Sequence, residues 1–409
     1  MVRLLVLADD FTGALDTGVQ FSNLGVTTQV TTDIQIDLEQ VDVDVLVIDT
    51  ESRHLSFEAS YQVVTRIATR VKELEIPYFY KKVDSALRGN ISSEIQAILD
   101  VYTDRTIAFV PAYPAIGRTV SSGCLYIDGI PVSESIFADD PYEPVIESNI
   151  RKRLQIEANI HATLFTGRNS QLGSRLIIFD AKTEEDMSEI GLKLAKFKQL
   201  SVTVGCAGFA KVLAETIFET NERPNVSLTK PLVVICGSVN QVTQNQVLFA
   251  QQKGFKRYSL VREQLLNDDY WTTSKGISDI SGYLRELEAD KLAIFETFGA
   301  VNTFYDTDKA ADIRFKIGQS LGQLTERLLE NGVERTFLFT GGDTLYQSMQ
   351  VLGISHVIPL IEISPGIVLS ELVWKECRVP VITKSGGFGY KELFVDIVET
   401  VQVEKEKRC

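Results

Sequence analysis

The stretch VRLLVLADDFTGALDTG, residues 2–18, decides the fold class of this chain. Residues 2–8 read as a β-strand that ends in Asp9 and Asp10, after which Thr12 and Gly13 lead into a helix. The strand is a continuous apolar run, which predicts that both of its faces are buried. A buried strand followed by a helix is the repeating unit of α/β proteins with parallel sheets.

The same unit recurs along almost the whole chain. Amphipathic segments at 56–74 and 313–332 predict helices, and Gly332 is expected to cap the second of them. The alternation therefore predicts an α/β fold with mostly parallel sheets flanked by helices. The further strand-like runs lie at 43–49, 77–83, 106–111, 175–181, 201–205, 231–237, 291–297, 335–341 and 379–385.

A chain of 409 residues is too long for one ordinary core, so two domains are expected. The polar segment 220–231, with two prolines, is the best linker and divides the chain into domains 1–225 and 226–409. We expect an active-site cleft between them. The segment 112–150 is rich in Pro, Gly and Ser, and a loop of that length is expected to be functional.

Composition excludes several classes of partner. The net charge of -14 and the pI near 4.9 argue against nucleic acid or an anionic membrane as the main partner. No apolar run is long enough to span a bilayer, and the N-terminus does not resemble a signal peptide, so a cytoplasmic protein is expected. Neither the cysteines nor the histidines have the spacing of a disulfide framework or a zinc site, and Cys206 and Cys236 are expected in the core.

Carboxylates follow the first strand. Asp9 and Asp10 stand at the expected N-terminus of a helix, where a carboxylate can cap the free amides. Alternatively, one of them accepts hydrogen bonds from a polyol or takes a hydroxyl proton. The residues alone favour neither reading.

The next strand ends carry cations together with hydroxyl-binding groups. Lys82, Asp84, Arg88 and Asn90 crowd within ten residues of strand 77–83, and Arg118 follows strand 106–111. Arg and Lys suit a carboxylate, and Asp and Asn suit hydroxyl groups, so a small hydroxylated acid is the predicted ligand. The alternatives are a solvated loop with local salt bridges and, for Arg118, an ordinary surface arginine.

Small residues follow three strands of the second half. Two of these turns lead into helix N-termini, whose free amides attract anions, and glycine lets a phosphate group approach the backbone. Three such turns at one sheet edge predict phosphate binding, although each alone is only a turn. The predicted residues are Ser238; Thr340, Gly341, Gly342 and Asp343; and Ser385, Gly386 and Gly387.

The familiar nucleotide motifs are absent. GxxxxGK[ST] does not occur, since Lys384 precedes its glycines, and no strand is followed by GxGxxG. An α/β oxidoreductase with a dinucleotide fold is therefore poorly supported.

Six short motifs nevertheless occur together in a characteristic order: ADDFTGALD, KKVDSALRGN, PAYPAIGRT, CGSVNQVTQNQ, TGGDT and KSGGFG. Together, from residue 4 to about residue 398, they resemble the four-carbon acid sugar kinase family. The resemblance implies ATP-dependent phosphorylation of a tetronate such as threonate, erythronate or 3-oxo-tetronate. It also implies an N-terminal acid-sugar domain and a C-terminal nucleotide domain.

The resemblance also implies roles for the loop residues. Asp10 or Asp84 would be the catalytic base, and the eight small residues of the second half would hold ATP. Beyond the resemblance, we hypothesise that Mg²⁺ bridges phosphate oxygens with Asp343 as one partner, directly or through water, and we consider a homodimer as the assembly. Ala86 stands where the family usually has Thr, and 364–372 matches only loosely, which leaves the substrate open. The alternative function is a non-catalytic sugar-acid sensor. Asp9, Lys82, Arg88, Asn90 and Arg118 would bind the acid sugar.

Overall fold

The computed structural model of the protein describes residues 1–140, 143–166, 174–222, 231–288, 292–301, 310–332 and 335–406. The chain divides into two compact units, Met1–Arg223 and Pro224–Cys409. The predicted boundary at 225/226 and most of the predicted linker fall on 223–230, which lies outside the described residues. The cleft expected between the domains stays a prediction.

The first unit contains a sheet in which every described pairing is parallel, in the order β2-β3-β1-β4-β11-β5-β10-β9. A separate antiparallel sheet, β6-β7-β8, lies within the segment that the sequence predicts as a long loop. The strands are β1 Leu4–Ala8, β2 Thr28–Thr31, β3 Val45–Asp49, β4 Tyr78–Lys82, β5 Ile107–Val110, β6 Arg118–Ser121, β7 Cys124–Ile127, β8 Ile130–Pro131, β9 Ala162–Leu164, β10 Leu176–Ile178 and β11 Val202–Gly205.

Capping side chains begin several helices of this unit. Asp10 caps α1, Ser56 caps α2, and Thr183 forms a reciprocal capping box with Asp186 at the start of α5. The predicted helix at 56–74 is thereby confirmed. The helices are α1 Phe11–Ser22, α2 Phe57–Glu73, α3 Ile91–Val101, α4 Ile150–Ala158, α5 Glu184–Lys196 and α6 Ala207–Ile217.

Strand β1 lies at the point where the strand order of this sheet reverses. It pairs in parallel with β3 on one side and with β4 on the other. Ligands of open α/β sheets bind outside the carboxyl ends of the strands at such a point. The loops after β1, β3 and β4 therefore meet where a binding site is expected.

The second unit has the sheet order β13-β14-β12-β15-β18-β17-β16. The five neighbouring strands β13, β14, β12, β15 and β18 pair in parallel. Strand β17 runs antiparallel to both β16 and β18. The mostly parallel α/β architecture is therefore confirmed, with an antiparallel edge that the sequence did not predict. The strands are β12 Leu232–Cys236, β13 Lys256–Ser259, β14 Ala293–Glu296, β15 Thr336–Thr340, β16 His356–Ser364, β17 Ile367–Trp374 and β18 Cys377–Lys384.

Helices accompany this sheet and share its apolar core, which includes Val234, Val247, Ile294, Leu338 and Phe394. The predicted helix at 313–332 is confirmed, although it begins earlier. The helices are α7 Gln241–Gln252, α8 Arg262–Leu266, α9 Ser274–Glu288, α10 Phe298–Val301, α11 Ala310–Glu330, α12 Gly342–Leu352 and α13 Leu393–Glu406.

All ten predicted strands exist, and each lies within or close to its predicted range. Cys206 and Cys236 are fully buried, as the sequence predicts for core residues. In the described part of the chain, each helix is too short or too polar to cross a membrane.

Ser320 on α11 should be important for the stability of the second unit. Its Oγ accepts a 2.9 Å hydrogen bond from Nε1 of the buried Trp271 and donates to the Gln264 carbonyl at 2.6 Å. Ser320→Ala leaves both groups unpaired, so we expect the free energy of unfolding to fall by roughly 1–3 kcal/mol. Ser281→Ala removes an exposed hydroxyl of α9 and is the control. Denaturant unfolding followed by tryptophan fluorescence reports this unit, because both tryptophans, 271 and 374, belong to it; equal effects of the two variants would contradict the prediction.

Candidate functional site

Five charged side chains of the first unit meet at the carboxyl ends of three neighbouring strands. Asp9 and Asp10 follow β1, Arg53 follows β3, and Lys82 and Asp84 lie at the end of β4. The sequence analysis predicts four of them and misses Arg53. Their ion pairs join the three loops into one cluster, which we call the charged cluster.

Asp9 is the buried anchor of the charged cluster. Its Oδ2 accepts from Arg53 Nε at 2.8 Å, and its Oδ1 accepts from Lys82 Nζ at 3.1 Å. Burial alone would raise the pKa of Asp9, but the Arg53 guanidinium and the Lys82 ammonium overcome it and hold the pKa well below its usual range. Asp9 is therefore ionised, and it fixes two cations at the sheet edge.

Asp10 uses only one of its two carboxylate oxygens in its contacts with the described residues. Oδ1 caps α1 through the Gly13 amide at 3.2 Å and accepts from Arg53 Nη2 at 2.6 Å and from Lys82 Nζ at 2.8 Å. Oδ2 accepts no hydrogen bond from the described residues, and the side chain is 20% exposed. Capping and ligand binding, which the sequence leaves as alternatives, are therefore compatible in this one side chain.

Arg53 is held in place by a second layer of contacts. Asn90 Nδ2 donates to the carbonyls of Ser52 at 2.9 Å and of Leu55 at 2.7 Å. Gly89 has φ +78°, and a Cβ there would lie 2.8 Å from Arg53 Cγ. The amide nitrogen of Asn90, predicted to bind substrate, thus positions the loop that carries Arg53.

Asp84 is saturated by its own loop. Oδ2 accepts from the amides of Ala86 and Arg88 and from Arg88 Nε, each at 3.1 Å, and Oδ1 accepts from Arg88 Nη2 at 2.9 Å. Burial favours a raised pKa for Asp84, but the guanidinium groups of Arg88 and Arg53 outweigh it and hold the pKa well below its usual range. Arg88 also donates to Asp140 at 3.2 Å, so neither side chain is free.

Arg118 forms one long ion pair, and its Nε donates to none of the described residues. Its Nε is buried without a hydrogen-bond partner among the described residues, and its nearest carboxylate contact is the exposed Asp128, 3.9 Å from Nη1. The guanidinium lies 5.1 Å from the centre of the Phe137 ring, and that of Arg88 lies 5.3 Å from the same ring. Burial lowers the pKa of Arg118, the sign of a charge short of partners.

A buried ion pair lies beneath the charged cluster. Lys81 Nζ is 3.0 Å from Glu94 Oε2 on α3, and neither side chain is appreciably exposed. Glu94 Oε1 accepts from Ser52 Oγ at 2.5 Å, next to Arg53 in sequence. This pair fixes the loop after β3 from below, so Lys81 supports the site without lining it.

Three loops of the second unit also meet at one sheet edge, because β12, β15 and β18 are neighbours and parallel. Gly341, with φ +92°, is the N-cap of α12. The amides of Gly342 and Asp343 lie in the first turn of this helix and therefore have no partners within it. A Cβ on Gly386 would lie 2.5 Å from Ser238 Oγ, which brings the first loop against the third. The predicted adjacency of these strand ends is confirmed.

Some predicted nucleotide residues belong to the scaffold of these loops. Thr340 is fully buried, and its Oγ1 donates to Cys236 Sγ at 3.1 Å. The Gly341 amide donates to the Lys384 carbonyl at 2.9 Å, and the Ser385 amide to the Gly366 carbonyl at 3.2 Å. The amides of Gly386 and Gly387 donate to no described residue, so they remain available to a ligand.

Asp343, the predicted neighbour of Mg²⁺, is paired with Arg314 of α11. Among the described residues, no three His, Cys, Asp or Glu side chains gather as they would in a metal site made by protein alone. Mg²⁺ usually binds through one or two carboxylates together with phosphate oxygens and water. Asp343 fits that limited part, with Arg314 beside it as a second cationic group.

Two domain families cover most of the chain. A sugar-binding N-terminal domain matches residues 4–213, and a nucleotide-binding C-terminal domain matches residues 233–394. The chain is 27% identical to a D-threonate kinase of Salmonella typhimurium, covering 98% of this chain and 99% of that protein. It is 26% identical to a D-erythronate kinase of Heliobacterium modesticaldum, over 95% of this chain and 94% of that protein. It is 24% identical to a 3-oxo-tetronate kinase of Brucella melitensis, over 99% of this chain and 97% of that protein.

Solved structures show the same fold. A protein of Salmonella typhimurium superposes with a TM-score of 0.80 at 22% identity, covering 97% of this chain and 98% of that one. A protein of Haemophilus influenzae superposes with a TM-score of 0.76 at 22% identity, covering 97% of this chain and 100% of that one.

Gly13 should be required by the charged cluster rather than by its helix. A Cβ at this position would lie 1.7 Å from Lys82 Nζ and 2.5 Å from Asp10 Oδ1. We expect Gly13→Ala to displace Lys82 from its carboxylates and to lower the melting temperature. Gly282→Ala is the matched control, because a Cβ on this α9 residue meets nothing within 4 Å and alanine favours a helix. Thermal unfolding of both variants checks this, and a Gly13→Ala protein as stable as the parent would contradict it.

Proposed function

This chain belongs to the four-carbon acid sugar kinase family, and we propose that it transfers a phosphoryl group from ATP to a hydroxyl group of a four-carbon sugar acid. The substrate would be a tetronate such as threonate, erythronate or 3-oxo-tetronate, the compounds named for its relatives. The observation that carries the proposal is the buried Nε of Arg118, which has no hydrogen-bond partner among the described residues. The same domain holds Asp10, whose Oδ2 accepts no hydrogen bond from them.

Arg118 is the residue that we assign to the substrate carboxylate. A buried N–H donor without a hydrogen-bond partner costs free energy, and an incoming carboxylate would remove that cost. Arginine can offer a carboxylate two parallel N–H donors, and the Arg118 guanidinium lies over the Phe137 ring, 5.1 Å from its centre. Arg88 is already shared between Asp84 and Asp140, so its role is to build the wall of the site.

Asp10 is the residue that we assign to the attacking hydroxyl. Both oxygens of Asp84 are occupied by Arg88 and backbone amides, whereas Asp10 keeps Oδ2 free. Phosphoryl transfer depends on positioning and charge neutralisation, and a carboxylate that orients the hydroxyl receives its proton late. Asp9 and Lys82 act by fixing Asp10, and Lys82 adds positive charge near the transferred group.

The nucleotide would bind at the three loop ends of the second unit. Free amides at Gly342, Asp343, Gly386 and Gly387 can donate to phosphate oxygens, and the N-terminus of α12 attracts negative charge. Ser238 lies against Gly386 and completes the edge. Thr340, Gly341 and Ser385 keep the loops in place from behind.

Asp343 is the side chain that would hold Mg²⁺, directly or through water. When bound, the metal would neutralise phosphate charge. Arg314, which pairs with Asp343, keeps that carboxylate at the first turn of α12. A cytoplasmic location, a homodimer and the absence of nucleic-acid and membrane partners stay predictions.

The proposal is tested by ATP consumption with a panel of four-carbon acids. We expect turnover with at least one of threonate, erythronate and 3-oxo-tetronate. A sugar-acid sensor would bind a tetronate without consuming ATP, and that result would favour the alternative function.

Arg118→Ala should impair use of the acid sugar and spare ATP. Loss of a charge-assisted hydrogen bond costs roughly 1.5–3 kcal/mol, so we expect KM for the tetronate to rise about 10- to 150-fold. KM for ATP should stay unchanged. Arg118→Lys keeps the positive charge but cannot donate two parallel hydrogen bonds, so its KM for the tetronate should lie between those of the parent and of Arg118→Ala. Unchanged tetronate kinetics in Arg118→Ala would refute the assignment.

Asp10→Asn and Asp84→Asn should differ in kind. Asparagine at position 10 still caps α1 but cannot take a proton, so we expect kcat to fall by about 10²- to 10⁴-fold with little change in tetronate binding. Asparagine at position 84 removes the partner of Arg88, so KM and thermal stability should suffer more than kcat. Steady-state kinetics and tetronate binding of both variants decide the point; the opposite pattern would make Asp84 the base.

A further inference from the structure

Lys384 is the last residue of β18, and its side chain is buried with 1% exposure. It directly precedes Ser385, Gly386 and Gly387, which we call the glycine loop. Its Nζ donates to Thr243 Oγ1 at 3.0 Å, to the Ser385 carbonyl at 2.9 Å and to the Gly386 carbonyl at 3.1 Å. An ammonium group has three N–H donors, and all three are used here. The side chain therefore binds the underside of the loop rather than reaching over it.

These contacts fix the orientation of the loop backbone. The carbonyls of Ser385 and Gly386 point toward Lys384 because they accept hydrogen bonds from it. The amides of Gly386 and Gly387 donate to none of the described residues. Thr243 of α7 completes the arrangement, because its hydroxyl accepts from Lys384 and donates to the Gly386 carbonyl at 2.8 Å. Thr243, which the sequence analysis did not single out, thus joins α7 to the loop.

Lys384 has no counter-ion in this arrangement. No carboxylate of the described residues forms an ion pair with it, and burial lowers its pKa to about 8. A buried charge without an opposite charge is unfavourable unless a ligand supplies one. The free amides above it are donors for the same kind of ligand, an anion.

We propose that Lys384 is the positioning residue of the glycine loop and that a phosphate group of the nucleotide provides the anion this buried ammonium lacks. The inference rests on the proposed function and adds two residues to it, Lys384 and Thr243. Lys384 acts through the backbone of Gly386 and Gly387, since its own donors are occupied.

The other groups around Lys384 stay constant near neutral pH. Cys236 of β12 is the titratable group whose charge acts on it, and burial raises the pKa of that thiol to about 12. Thr243 of α7 and Thr340 of β15 do not titrate. Asp343 of α12 is paired with Arg314. A change in nucleotide affinity between pH 7.5 and 9.5 therefore reports Lys384.

The first test compares Thr243→Val with Thr243→Ser, using ATP binding to the full chain by calorimetry. Valine has nearly the shape of threonine but lacks the hydroxyl, whereas serine retains it. We expect Thr243→Val to weaken ATP binding by about tenfold or more and Thr243→Ser to bind almost as the parent does. KM for the tetronate should not change in either variant. Equal ATP affinities for valine and serine would overturn the role of Thr243 in the loop.

The second test uses Lys384→Met, Lys384→Arg and pH. Lys384→Met should lose ATP affinity by about tenfold or more, because the loop loses both its donors and its positive charge. In the parent protein, Lys384 is neutral above its pKa, and ATP binding must then take up a proton. The affinity should therefore fall as pH rises from about 7.5 to 9.5, by up to about tenfold per pH unit. Lys384→Arg stays charged and should show no such fall.

The outcomes separate this inference from the proposed function. A parent protein that binds no ATP would overturn both. A parent that binds ATP with an affinity independent of pH, or a folded Lys384→Met with unchanged affinity, would overturn the inference alone. Should Lys384→Met fail to fold, the Thr243 pair and the pH series of the parent decide it.

Discussion

Carboxylates buried at a sheet edge need opposite charges beside them, and Arg53 is the side chain that pairs with three of them in the first unit. It contacts Asp9, Asp10 and Asp84, which stand on the loops after β1 and β4, while itself standing on the loop after β3. Removing one partner of such a set leaves a buried charge uncompensated, which costs far more than the pairing gained. Arg53 thus joins the three loops. Gly13 and Gly89 are small because Lys82 and Arg53 need the space that a Cβ would occupy.

The two units treat buried cations in opposite ways. In the first, Arg53 and Lys82 lie against carboxylates, and the buried Nε of Arg118 has no hydrogen-bond partner among the described residues. In the second, Lys384 is buried without a carboxylate, and only neutral oxygens accept from it. Under the proposed function, the first unit would take the substrate carboxylate and the second unit would take a phosphate group of the nucleotide.

The sequence predicted the strands and most of the loops because continuous apolar runs and the turns after them are local signals. It missed Arg53 because that loop contains neither glycine nor proline, and nothing local shows that β3 lies beside β1. The β17–β18 hairpin turns through Lys375 and Glu376, with φ +45° and +68°, where glycine or asparagine is the usual signal. The roles of Asn90, Thr340 and Lys384 were also beyond reach. The type of a polar residue indicates which groups its side chain can bind. Only its burial and its hydrogen-bond partners in the structure show whether it binds a ligand or the backbone of the protein.

The charged cluster also explains how Asp10, a carboxylate surrounded by cations, could orient the attacking hydroxyl in the proposed reaction. Asp10 is held by Arg53 and Lys82 through one oxygen, so the direction of the other oxygen is fixed. A loose phosphoryl-transfer transition state asks little of a base until the new bond has largely formed, and it rewards orientation throughout. A carboxylate with one oxygen pinned and one free meets both conditions. Both oxygens of Asp84 already accept hydrogen bonds, so under the proposed function Asp10 is the better candidate, although the two residues are equally plausible when only the sequence is considered.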